Sequence, residues 1–125
     1  MNLLITFLGL VLMYQPAFLP KSYRLSKYSA EINTRIGQNA SSDTFFVINE
    51  SEEVLRVKGA SAKCGCVSTE YEKRDLNKGD SAMVVVHYSP QFTGSFGENV
   101  YIKTNGDPKK YWFYIYGETE AENKE

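Results

Sequence analysis

One histidine, two cysteines and one tryptophan leave this 125-residue sequence with little equipment for catalysis. A structural zinc site needs four ligands, so both thiols, His87 and a carboxylate would all have to converge, which makes zinc the poorest metal candidate. A Cys/His nucleophile pair is formally present, but no Gly-rich oxyanion loop or acidic orienter stands at recognisable spacing. Charge of one sign is also lacking. With 14 Lys+Arg against 15 Asp+Glu, the basic footprint of a nucleic-acid binder is absent. No helical period persists along the chain. What the sequence has instead is aromatic residues, 14% of the total, many in alternating runs that favour strands over helices.

The N-terminal segment is set apart before any fold is read. Leu3 to Tyr14 is almost wholly apolar, and that character continues through Leu19 before Lys21, Arg24 and Lys27. The length suits a signal-peptide core better than a full membrane span. No small-x-small cleavage site follows and no basic residue precedes the run, so residues 1–27 are read as a signal peptide or membrane anchor. Membrane contact through residues 3–19 is expected if the segment stays uncleaved. The expected location is the periplasm or cell surface.

From residue 28 to 118 the chain reads as short strands divided by turn clusters, the spacing of a sandwich. The strands are Ser29–Ile36, Thr44–Asn49, Val54–Gly59, Val67–Tyr71, Ser81–Ser89, Ser95–Thr104 and Tyr111–Gly117. Asn77-Lys78-Gly79-Asp80 is a strong turn, and Asn105-Gly106-Asp107-Pro108 closes a hairpin between the last two strands. After Gly117 no large apolar residue remains, so residues 119–125 are expected to be a disordered acidic tail.

The order Phe45-x-Val47-x-Asn49, Leu55-x-Val57, Cys64-Gly65-Cys66-Val67, Asn77-Lys78-Gly79-Asp80, Val84-x-Val86-x-Tyr88, Gly94-x-Phe96 and Val100-x-Ile102-x-Thr104-Asn105 resembles one bacterial family. That family is a domain of unknown function with a central Cys-Gly-Cys, abundant in Bacteroidetes-type genomes and related to Hydin-like (ASH) and major-sperm-protein domains. The resemblance covers about residues 30 to 118. It implies an immunoglobulin-like antiparallel β-sandwich of about seven strands, usually exported, with no established activity. Relatives commonly follow Cys-Gly-Cys with Thr, where Val67 stands here, and many carry a lipoprotein Cys that this chain lacks near residue 20.

Two groups of residues invite a role. Cys64 and Cys66 in an extended strand would have Cα atoms ~6.6 Å apart on one face, the upper edge of disulfide geometry. They are expected to pack as small buried thiols. The alternatives are a disulfide bent at Gly65, copper(I) binding by two thiolates, or thiol exchange. The second group lies on the C-terminal hairpin. If Val100, Ile102, Phe113 and Ile115 face the core, alternation turns Tyr101, Trp112, Tyr114 and Tyr116 outward as one aromatic platform. A reversed phase would bury them instead. Met83, Val85, Phe46 and Ile48 are outward by the same rule, and His87 should face solvent.

The expected function is therefore non-catalytic: a cell-envelope protein-interaction or assembly module, with no cofactor. A glycan-binding module using the aromatic platform, and a thiol redox or copper-handling protein using Cys64 and Cys66, are the alternatives. Fractionation of cells expressing the full chain should recover it with the envelope, and intact chain in the cytosolic fraction would contradict the export reading.

Overall fold

The computed structural model describes residues 21–122, so the apolar segment expected at 3–14 lies outside the described residues. No helix among the described residues is long and apolar enough to cross a membrane. The described residues form nine strands: β1 Tyr23–Leu25, β2 Ser29–Glu31, β3 Thr34–Arg35, β4 Ser41–Asn49, β5 Val57–Ala62, β6 Val67–Tyr71, β7 Ser81–Tyr88, β8 Gly94–Thr104 and β9 Lys110–Glu120. They form a four-stranded sheet in the order β1-β4-β7-β6 and a five-stranded sheet in the order β2-β9-β8-β5, with β3 also on β9. This is an immunoglobulin-like sandwich of the constant type, with β1, β2 and β3 as pieces of one first strand that changes sheets.

Alternation decides which residues meet between the sheets. Phe45 and Val47 of β4, Ala82, Val84 and Val86 of β7, Val100 and Ile102 of β8, and Phe113 and Ile115 of β9 are all fully buried. Phe45 stacks on Phe113 across the gap at 4.1 Å, and Tyr88 stacks on Phe96 at 3.9 Å. Leu55 and Val57 share the inward face as the sequence indicates, although the ladder begins only at Val57 and Leu55 makes a lone bridge to Leu76. Asn49 is fully buried at the end of β4. Its amide donates to the carbonyls of Glu53 and Leu76, while its own carbonyl receives the Gly79 N–H, so the Asn77–Asp80 turn is locked onto the end of β4.

Three sequence expectations shift. The boundary at residue 28 is too late, because Tyr23 and Leu25 are buried in β1, paired antiparallel with β4. The single first strand Ser29–Ile36 is instead β2 and β3, both parallel to β9. The tail does not begin at 119: β9 runs to Glu120, with Thr119 buried opposite Thr34 and Gly94. Gly117 read as a strand end because glycine is a breaker in sequence. Here it serves close approach, since a Cβ at 117 would overlap the Ile32 carbonyl oxygen and lie 2.7 Å from the Ile32 carbonyl carbon. Gly117→Ala should therefore cost about 2–3 kcal/mol by forcing β2 and β3 off β9. A urea midpoint equal to the parent's would contradict that close approach.

Candidate functional site

The outer face of the five-stranded sheet is built by the C-terminal hairpin. Register sets Tyr101 of β8 opposite Trp112 of β9, Asn99 opposite Tyr114, and Gly97 opposite Tyr116. With Phe113 and Ile115 committed to the core, Trp112, Tyr114 and Tyr116 must point outward, and they are 46%, 43% and 40% exposed. Tyr101 is half-buried because Trp112 leans on it, their ring centres 4.0 Å apart, and the Lys110 ammonium sits 4.1 Å above the Tyr101 ring. Tyr114 and Tyr116 lie nearly parallel at 5.8 Å. Gly97 makes room for this, because any Cβ there would clash with the Tyr114 hydroxyl and stand 2.9 Å from Cζ. The Tyr114 ring is thus laid across β8 with its hydroxyl end over a glycine. The sheet brings together all four aromatic residues singled out in the sequence. Gly97, which shapes the platform, has no local signal beyond being a glycine in a strand.

Charge is divided along this face. Lys103 and Lys110 stand at the hairpin end, while Glu31 and Glu118 stand at the other. The sheet edges offer less. The carbonyls of Ala60 and Lys58 on edge strand β5 accept hydrogen bonds from Thr69 Oγ1 and Tyr71 Oη of β6. On the opposite side the first strand covers both sheets with segments of two or three residues.

His87 projects on the outer side of the other sheet, half-buried, with Nδ1 against Ser42 Oγ and Nε2 3.4 Å from a Glu70 carboxylate oxygen. A serine, an imidazole and a carboxylate in line suggest hydrolase chemistry. Register alone accounts for the trio, because Ser42 lies directly opposite His87 on the neighbouring strand, as cross-strand polar pairs on an outer sheet face do. Phe46 and Met83 share this face as a directly opposed pair, each 39% exposed, as alternation indicates.

Cys64 and Cys66 are joined by a disulfide, which corrects the expectation of two separate buried thiols. The segment is a bend and turn and not extended strand, which brings the Cα atoms to 5.2 Å instead of ~6.6 Å. Cys66 is buried and Cys64 half-buried against the core. His87 lies on an outer face, away from this pair. Burial pushes the Tyr88 and Tyr23 hydroxyls above their ordinary range, and the hydroxyls of Thr119 and Thr104, respectively, act in the opposite direction. A bond that spans two residues removes little freedom from the unfolded chain, about 1.5 kcal/mol on the chain-entropy account. Reduction should therefore lower the melting temperature by roughly 5–10 °C. Coincident melts with and without reductant would mean the thiols are unbonded in solution.

Among solved structures, the fold is similar to a protein of unknown function from Porphyromonas gingivalis W83, with 15% identity and a TM-score of 0.66 over 85% of this chain. The chain spans half the length of that protein. It is similar to the ASH/PapD-like domain of human CEP192 (PapD-like domain 7), with 10% identity and a TM-score of 0.69 over 87% of this chain and 94% of that one. It is also similar to WR4, a Caenorhabditis elegans MSP family member, with 7% identity and a TM-score of 0.57 over 80% and 99% of the two chains. No curated protein matches the sequence. The model of the family described as protein of unknown function (DUF1573) matches residues 24–119, from β1 to the end of β9, and the chain belongs to that family.

Proposed function

We propose that this domain is a non-catalytic interaction module of the cell envelope and that it holds a protein partner against the outer face of the β8–β9 hairpin. The observation that carries the reading is the platform on the β8–β9 pair, with Trp112, Tyr114 and Tyr116 open to solvent and Tyr101 half-buried beside Trp112. Contiguous exposed aromatic surface marks interaction sites, and Trp and Tyr dominate binding energy at protein interfaces. Few rotamers remain to be frozen, because Tyr101 is clamped between Trp112 and Lys110 and Tyr114 is seated over Gly97.

Stacking on sugar rings would use the same rings. The charge division favours protein: a neutral glycan has no use for Lys103 and Lys110 at one end and Glu31 and Glu118 at the other, whereas a polypeptide with acidic and basic residues does. With β5 carbonyls occupied by β6 side chains and the first strand broken into segments of two or three residues, the faces offer more contact surface than the edges. Residues 1–27, read as a signal peptide or membrane anchor, would put that partner in the envelope or on the surface.

Trp112→Ala should change folding stability by less than about 1 kcal/mol while weakening partner binding by roughly 2 kcal/mol or more. Gly97→Ala should do the same by lifting Tyr114 off the sheet without touching a core residue. The measurement is capture of envelope proteins by parent and variant at equal loading, alongside thermal melts. Unchanged capture by both variants, or binding of soluble polysaccharide lost with Trp112 while protein capture persists, would overturn the protein-partner reading.

A further inference from the structure

Glu98 stands where a carboxylate is out of place. On β8 it falls between Phe96 and Val100 on the core side, and its Cα partner on β9 is the fully buried Ile115. The β5–β8 ladder stops at Val100, so Glu98 lies two residues beyond it, on the part of β8 that is paired with β9 alone. Among the described residues the Glu98 carboxylate takes no hydrogen bond and no ion pair, so its partial burial goes uncompensated. β5 ends at Ala62, opposite Val100, and the chain bends just beyond it through Cys64 and Cys66. A Glu98 oxygen and the sulfurs of Cys64 and Cys66 all lie within 4.8 Å of one another. The disulfide is not much of a staple, closing only a two-residue separation.

We propose that reduction of the Cys64–Cys66 bond opens a site for one thiophilic divalent cation of the zinc class, with Cys64 Sγ, Cys66 Sγ and the Glu98 carboxylate as its three protein ligands. Two thiolates and a carboxylate leave a fourth tetrahedral position for water. This set omits His87 and gives Glu98 the partner it lacks. Copper(I) would be satisfied by the two thiolates and would leave Glu98 unexplained. The site is gated by redox state. A dithiol reductant supplies two electrons and two protons, the sulfur–sulfur bond breaks to two thiols, and the reductant leaves as its own disulfide. Binding of the cation then releases the two thiol protons to solvent.

The test uses the full chain, fully reduced or fully oxidised, titrated with Cd2+ alone and followed by thiolate-to-cadmium absorption, with Zn2+ in equilibrium dialysis as a second reading. One ion per reduced chain and none per oxidised chain are expected. Glu98→Gln should weaken binding by ~10-fold or more while keeping the parent's β-sheet circular dichroism, and Cys64→Ser should remove the absorption band. Should Glu98→Gln fail to fold, Glu98→Asp, which keeps the carboxylate, should restore the fold and a weakened site. Absence of binding to the reduced parent, equal binding to the oxidised parent, or parental affinity in folded Glu98→Gln or Glu98→Asp would each overturn the proposal.

Discussion

Stacking of Phe45 on Phe113 across the two sheets fixes the phase of β9, and the outer surface of the domain depends on that phase. Were the strand slipped by one residue, Trp112, Tyr114 and Tyr116 would enter the core in place of Phe113 and Ile115. An indole N–H and two phenolic hydroxyls would then need buried partners, each orphan costing about 1–3 kcal/mol. Phe113 and Ile115 bring no such requirement. The second cross-sheet stack, Tyr88 on Phe96, holds β7 and β8 in the matching phase. What reaches solvent on the hairpin is thus a consequence of what the core accepts.

A sandwich with two apolar inner faces still has edges to manage, and this one manages them with little material. The first strand is divided so that Tyr23 and Leu25 seal one sheet while Ala30, Ile32 and Thr34 seal the other. Gly117 lets the crossing chain lie against β9 at backbone distance. Across the molecule, Thr69 and Tyr71 occupy carbonyls of β5 that would otherwise invite another strand. Interaction is then left to side chains on the faces.

The core was legible in the sequence wherever alternation alone decides the outcome. The inward positions of β4, β7, β8 and β9, the hairpin turn and the outward direction of the four aromatic residues all follow from a period of two. What escaped has non-local causes. Nothing near Tyr23 or Gly117 announces that the first strand changes sheets and runs parallel to the last, because that pairing joins residues 85 positions apart, as Ser29 and Tyr114 are. The Cys64–Cys66 bond depends on a bend that Gly65 permits and that nothing in the local sequence requires. Glu98 looks like an ordinary strand residue until the bend after β5 brings the sulfurs beside it. Asn49 looks like the last residue of a strand until the Asn77–Asp80 turn closes over it.

The chain's single tryptophan sits on the platform and on no other surface, so its fluorescence reports this face alone. Collisional quenching by a neutral quencher on the folded, isolated chain is the most direct measurement of the central claim. The account predicts long-wavelength emission and a quenching constant of about half that of the unfolded chain, falling further when the partner is added. Short-wavelength emission that resists quencher in the isolated chain would place Trp112 in an interior and contradict the phase on which the proposed interface rests.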